Sequence, residues 1–254
     1  MTLPDYKILT FDVVGTLIDF ETGILDYICP IAERAGLKLD DEAILLSYGK
    51  AEDIEHKRTP GLPFPSMLAP IYRTMAKEFG LPIGQAETEG LRLSIPAWPA
   101  FPDSVDALKR LRRRYRLVAM TNSDNWALEN FSRALDKPFD DTVTAEDVGT
   151  CKPDPQFFAY ARGRQSPHGY KIKDYLHVAQ SQFHDIGVAR TLGYSTCWIE
   201  RRKGKKGFGG SPAPSAVTRP DYHFATLAEL AEAVDREGGE KNPAIDGELN
   251  TLRG

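Results

Sequence analysis

The stretch Tyr6-Lys-Ile-Leu-Thr-Phe-Asp-Val-Val-Gly-Thr16 decides how the chain is read. Residues 8–14 are nearly all apolar, β-branched or aromatic, the pattern of a strand covered on both faces of a parallel sheet. Asp12 breaks that pattern. A carboxylate inside such a strand costs several kcal/mol unless it is paired or hydrogen-bonded. It is therefore expected at the strand's exposed carboxyl end or beside a cation. Gly15 supplies a tight turn there, and Thr16 can aim its hydroxyl and backbone N–H back at the same place. Asp12 is the candidate nucleophile, and an aspartate capping the next helix is the competing explanation.

With 254 residues, 41% hydrophobic and 27% charged, the chain can bury the core of one large α/β domain, or of a core plus an insert, without staples. A net charge of −4 argues against nucleic-acid binding, which shows itself as a basic surplus. The basic run from Arg110 to Arg116 falls where a helix should end, and cations there complement the helix dipole. Cys29, Cys151 and Cys197 are too scattered for a disulfide framework or a CxxC metal site, the five histidines lack zinc-ligand spacing, and no GxxxxGK(S/T) phosphate loop is present, so these residues give no reason to expect a cofactor. Only His184, beside Asp185, has a claim to a supporting role. The amino terminus lacks a signal-peptide core and no apolar run reaches about 18 residues, so a cytoplasmic protein with no membrane partner is expected.

Four helical stretches follow the first strand, at 23–36, 40–58, 67–79 and 85–93, and then a connection over 94–102 with three prolines and Trp98. Strands expected at 116–121, 141–144, 175–180 and 196–200 then alternate with helices at 103–115, 125–135, 153–162, 186–192 and 225–237. This alternation predicts the α/β class, a doubly wound Rossmann-like parallel sheet with ligands at the carboxyl ends of its strands. Residues 1–19 and 99–240 form the expected core domain, and 20–98 a helical cap inserted after the first strand. Residues 241–254 read as a disordered tail, and the Gly-, Pro- and Lys-rich 201–219 as a mobile loop without chemistry. Trp98 and Trp126 are expected to pack the cap hinge and the core.

Four strand ends carry polar residues foreign to a core: Asp12 with Thr16; Thr121, Asn122 and Ser123; Lys152, before a helix expected to start at Pro153; and Gln180, Ser181 and Asp185. In a doubly wound sheet these tips converge.

The ordered set resembles the haloacid dehalogenase superfamily, with a nucleophilic Asp in Asp-x-x-x-Thr, a Ser/Thr-Asn pair, a Lys before Pro and an acidic fourth loop. The likeness covers about residues 6–18 and 99–200, and the insert is similar to that family's cap. The superfamily's phosphatases use Asp-x-Asp, whose second Asp is a general acid, and two carboxylates of the fourth motif help to hold Mg²⁺. Here Val14 occupies the acid's position, and Gln180 stands where the first fourth-motif carboxylate is expected. Mg²⁺ prefers carboxylate oxygen, so phosphoryl transfer is disfavoured.

What remains resembles the metal-free L-2-haloacid dehalogenase branch. The resemblance implies that Asp12 attacks C2 of a small L-2-substituted carboxylate, and that water activated near Asp185 hydrolyses the ester to a 2-hydroxy acid. It implies that Lys152 keeps Asp12 ionised and that Thr16, Thr121 and Asn122 position the substrate carboxylate or ester oxygen. Val14, Phe20 and Ser181 are further expected substrate-binding residues.

The match is incomplete. The branch's halide-cradling arginine is missing; Ser47 aligns best with its position, and Lys50 is the expected substitute. Phe158 stands where an aromatic hydroxyl is expected. A similar relative, L-azetidine-2-carboxylate hydrolase, opens a strained ring by the same attack, with the ring amine leaving. A cationic amine needs carboxylates or aromatic faces, which Asp19, Phe20, Glu21, Glu52, Asp53 and Glu55 offer, although such charges commonly form a solvated helix face. Halide and ring amine are therefore equal expectations for the leaving group. A residual Mg²⁺-dependent phosphatase and a non-catalytic binding protein are the alternatives. The expected partner is a small carboxylate, with a homodimer also in view because capped relatives often dimerise.

Overall fold

The computed structural model describes residues 1–239, so the expected tail over 241–254 lies outside the described residues. Strand β1 (Ile8–Phe11) is buried throughout. Its side chains alternate between faces, Leu9 and Phe11 joining one apolar cluster and Ile8 the other. It belongs to a six-stranded, all-parallel sheet of order β3-β2-β1-β4-β5-β6. The other strands are β2 (Arg116–Thr121), β3 (Asp141–Thr144), β4 (Tyr175–Ala179), β5 (Ser195–Ile199) and β6 (Tyr222–Phe224).

One face packs on α5 (Ser104–Leu111), α6 (Asn125–Ala134) and α10 (Leu227–Gly239), whose Leu108, Phe131 and Leu230 share the cluster of Leu9 and Phe11. The other face packs on α8 (Pro155–Gln165) and α9 (Gly187–Thr191) through Phe157, Phe158 and Ala189, beside the short α7 (Ala145–Val148). Helices on both faces make this the expected doubly wound α/β fold.

β1 ends before the apolar run does. Asp12 still donates its N–H to the Val178 carbonyl at 3.1 Å, after which the chain turns through Gly15 at φ +88°. The positive φ favours glycine, and a Cβ there would also crowd the Phe20 ring at 3.1 Å and the Gln180 amide oxygen at 3.2 Å. α8 starts at Pro155 rather than Pro153, because Asp154 caps it by accepting the Gln156 N–H at 2.8 Å. β6, α7 and a π-helical turn over Gln182–Ile186 were not foreseen, being too short for periodicity to register.

The insert forms α1 (Phe20–Arg34), α2 (Asp41–Arg58), α3 (Phe64–Phe79) and α4 (Gln85–Leu93). Asp19 and Asp40 cap the first two by accepting the N–H groups of Thr22 and Ala43. Ile24, Tyr48, Leu68 and Tyr72 belong to the same apolar cluster as Leu9 and Phe11, so the cap is packed onto the core. No helix among the described residues is long and apolar enough to cross a membrane.

Two expectations need correction. Residues 201–219 are fastened to the cap and core: Arg202, 7% exposed, pairs with Glu21 at 2.6 Å and Glu42 at 2.5 Å, and Arg201 pairs with Asp103 at 2.8 Å. Charges that read locally as solvated loop find carboxylates on remote elements. Trp126 is 38% exposed beneath the Arg92 guanidinium at 4.5 Å, at the surface rather than in the core.

Trp98 does pack the hinge, against the rings of Phe64 at 5.7 Å and Phe131 at 6.2 Å, and its Nε1–H donates to Ser94 at 2.9 Å. Gly23 lies so close that a Cβ there would stand 2.4 Å from the indole. Trp98→Ala is expected to cost about 3–5 kcal/mol by emptying this junction. Urea unfolding measures it, and a loss below about 1 kcal/mol would show that the junction collapses without cost.

Candidate active site

The strand order sets the tips of β2, β1 and β4 side by side, and Lys152, from the loop between α7 and α8, reaches in among them. Its Nζ donates to Asp12 Oδ1 at 3.0 Å, to Asp185 Oδ1 at 2.6 Å and to the Met120 carbonyl at 2.7 Å. Three protons thus meet three acceptors, at a residue only 1% exposed. Asn122 clamps the lysine's backbone, accepting its N–H at 2.7 Å and donating to its carbonyl at 2.9 Å.

Thr16 donates to Asp12 Oδ2 at 2.7 Å and accepts the Gln180 N–H at 2.8 Å. Asp185, in the π-helical turn after β4, is held on its other side by His177. The Nε2–H of His177 donates to Asp185 Oδ1 at 2.9 Å, which leaves Nδ1 to accept from the Thr10 hydroxyl at 2.8 Å. Asp185 Oδ2 is buried with no hydrogen-bond partner.

Burial opposes the charge of Asp185, but the Lys152 ammonium and the His177 hydrogen bond outweigh it and bring the carboxyl down to about 2. Burial pushes Asp12 up from the ordinary carboxylate range, with Lys152 pulling it back and Asp185 adding to the push. Lys152 is raised by its two carboxylates in spite of burial. Burial drives His184 down to about 3, so its imidazole is neutral.

Above Asp12 lies a cavity of about 50 Å³. At roughly 10–15 Å³ per water, that suits a molecule of a few heavy atoms. Val14, Phe20, Thr121, Asn122 and Ser181 line it as expected, while Thr16 and Asp185 sit behind the wall. Ser47 and Lys50 do not reach it. The Ser47 hydroxyl donates to Glu78 at 2.6 Å inside the cap, and Lys50 is exposed over a separate surface depression. On α2 they point about 100° and about 200° away from Tyr48, which does line the cavity.

Of the six residues considered for a cationic amine, only Phe20 and Glu52 reach this wall. Asp19 caps α1, and Glu21, Asp53 and Glu55 pair with Arg202, Lys57 and Arg58. Phe158 is buried beneath the site, its ring 5.5 Å from that of His177. Tyr48, Phe64, Ser211 and Pro212 complete the wall unforeseen, and His184, considered only for a supporting role beside Asp185, lines it as well.

The superfamily's Mg²⁺ does not fit this donor set. An ammonium bridges the facing oxygens of Asp12 and Asp185, and Gln180 gives its amide oxygen to the Ser211 hydroxyl at 3.2 Å. Among the described residues no group of three or more His, Cys, Asp and Glu side chains is arranged to hold a metal ion.

A doubly wound sheet with an aspartate at the end of its first strand, a lysine bridging it to a second aspartate, and a cap inserted between strands defines a class of α/β hydrolases. The profile of the haloacid dehalogenase-like hydrolases matches residues 6–178, and the chain belongs to that family. It is 23% identical to (S)-2-haloacid dehalogenase 4A of Burkholderia cepacia over 225 residues, 85% of this chain and 87% of that one. Its fold is similar to that of a defluorinating L-2-haloacid dehalogenase, with TM-score 0.75 and 18% identity over 92% of this chain and 99% of the other. It is also similar to that of a putative HAD-hydrolase of Bacillus subtilis bound to magnesium, with TM-score 0.70 and 19% identity over 91% and 99%.

Lys152→Met is expected to abolish turnover and to cost about 3–5 kcal/mol near neutral pH, because it strands buried carboxylate charge. The sign with pH follows from the carboxyls. In the native chain Asp185 is depressed to about 2, so its contribution is full above the unfolded value near 4 and lost as pH falls toward 2. Without the ammonium, burial raises both carboxyls, and the variant gains stability as pH falls. Urea midpoints of the two proteins should therefore converge in acid; a gap independent of pH would contradict this electrostatic account.

Proposed function

We propose that the chain is a metal-independent hydrolase that displaces a leaving group at C2 of a small L-2-substituted carboxylate through an ester on Asp12. The observation that carries the reading is the Lys152 ammonium fixed between Asp12 and Asp185, with Val14 where a phosphatase keeps its acid. A lone pair of Asp12 attacks C2, the C2 bond to the leaving group breaks, and its electron pair departs with that group. Each Asp12 oxygen is already oriented by one donor, Lys152 or Thr16.

Water then adds to the ester carbonyl carbon, which belongs to Asp12, and the 2-hydroxy acid leaves with the aspartate's original oxygen. Lys152 stabilises charge on the tetrahedral intermediate. Asp185, ionised down to about 2, is too weak a base to remove the proton outright; its unpartnered Oδ2 accepts from the water and orients it. Thr121, Asn122, Ser123 and Ser181 face the substrate carboxylate, and Phe20 and Val14 exclude solvent.

The dehalogenase relative favours halide as the leaving group. Ring-amine displacement is favoured by the cavity wall, which carries Glu52 and no arginine among its lining residues. A phosphatase reading would need the acid and the carboxylate that Val14 and Gln180 replace.

With enzyme in excess over substrate in H₂¹⁸O, the first turnover should put label in the Asp12 peptide and none in the product. Label in the product alone would eliminate the ester. Turnover should be insensitive to EDTA, and Asp12→Asn should lose at least about 10⁴-fold in kcat, which also separates an enzyme from a binding protein.

A further inference from the structure

We infer that His177 is a positioning residue for the second half of the reaction: through Asp185 it aims the water that hydrolyses the Asp12 ester, and it has no part in forming that ester. This rests on Asp12 as nucleophile and adds which step the buried histidine serves. His177 lies in the middle of β4, fully buried, where an apolar side chain is the cheaper occupant. Its ring is set at a steep angle to those of Phe158 at 5.5 Å and Tyr194 at 6.3 Å, and Thr10 stands opposite it in register on β1. Its two hydrogen bonds, to Thr10 at 2.8 Å and to Asp185 Oδ1 at 2.9 Å, run as one chain from β1 to the turn after β4. That chain ends on the second aspartate and nowhere else.

Lys152 donates to the same Oδ1 at 2.6 Å, so two donors converge on one oxygen of Asp185 while Oδ2 is buried with no hydrogen-bond partner. Rotation of a carboxylate about its Cβ–Cγ bond is soft, and a single donor does not fix it. With Lys152 alone, Asp185 could swing and offer either oxygen to the ammonium. A second donor from a different element fixes the plane and reserves Oδ2 for the water.

The two half-reactions draw on this differently. Before attack, the Asp12 oxygens are held by Lys152 and Thr16, and His177 bonds to neither oxygen. Once the ester forms, Asp12 has lost its charge, the ammonium faces a single carboxylate, and its pull on Asp185 is greatest. The His177 bond opposes that swing at the moment the water is needed. The step balances: the water oxygen bonds to Cγ of Asp12, the Cγ bond to the substrate oxygen breaks with its pair on that oxygen, one water proton completes the 2-hydroxy acid, and the other is released as Asp12 ionises.

The test uses the full chain with L-2-chloropropionate and L-azetidine-2-carboxylate as probes, and follows in rapid-quench samples the mass of the Asp12 peptide and the free 2-hydroxy product. With the probe that is turned over, His177→Phe is expected to load Asp12 at the native rate and to hydrolyse the ester about 10²-fold more slowly, so that the ester accumulates toward one per chain. His177→Gln, whose amide nitrogen extends to the place of Nε2, should recover most of the hydrolysis rate. His177→Asn, whose amide nitrogen stops near the place of Nδ1, should not. The last two variants put an amide in the same cluster, so their comparison stands even where the phenylalanine variant fails to fold. Equal hydrolysis by the Gln and Asn variants, or a folded His177→Phe that slows loading as much as hydrolysis, overturns the inference and leaves the ester reading standing. Product formed with no ester mass on Asp12 in any of the proteins, or no turnover of either probe, overturns both.

Discussion

A buried ammonium is tolerated only when its protons and its charge are both answered, and the arrangement around Lys152 answers both with two carboxylates and one carbonyl. One cation shared by two carboxylates leaves the group one negative charge in excess. The structure decides where that excess is felt. Asp185 is fully enclosed and has His177 as a second donor, so it takes the larger share of stabilisation and stays low. Asp12, at the cavity and 7% exposed, is raised, which makes it the more basic of the two carboxylates. Thr10 and His177, which touch no substrate, serve this division by fixing the second aspartate.

The sheet topology makes the arrangement possible. Only because β1 lies between β2 and β4 do Asp12, Met120 and the turn bearing Asp185 come within reach of one lysine side chain. The same loops hold the cap. The Asn122 carbonyl accepts the Phe64 N–H at 2.8 Å at the start of α3, and the Asn122 side chain clamps Lys152. Gln180 links the Thr16 hydroxyl on one side to Ser211 on the other. Displacing either contact therefore disturbs the hydrogen bonds that hold Asp12, so the enclosure of the cavity and the geometry of Asp12 are one property.

Much of this was legible because parallel strands announce themselves as apolar runs, and polar residues that cluster where such a run stops mark its exposed end. That reasoning found Asp12, Thr121, Asn122, Lys152 and Asp185. It failed where side chains are placed by helix rotation or by chain returning from far away. Nothing in residues 41–58 tells whether Ser47 or Tyr48 faces the core, since α2 has apolar and charged residues on most sides. Ser211 and Pro212 reach the cavity only because Arg201 and Arg202 find Asp103, Glu21 and Glu42, which are 98 to 181 positions distant. His177 hid in plain sight: a histidine inside a buried strand needs two partners, and Thr10, on the neighbouring strand, pairs with it in register.

Val14 and Glu52 belong to one argument. With valine on the strand side of the cavity, the carboxyl that joins Asp12 in the wall, Glu52, comes from α2. An acid on the strand would be in place whatever the cap did. A carboxyl on the cap lines the cavity only while α2 stands over Asp12, where Arg202 joins Glu42, at the start of α2, to Glu21 on α1. Burial under the cap raises the Glu52 carboxyl, so loss of closure would bring it back toward the ordinary carboxylate range. Chemistry and cap position are thereby coupled through one side chain.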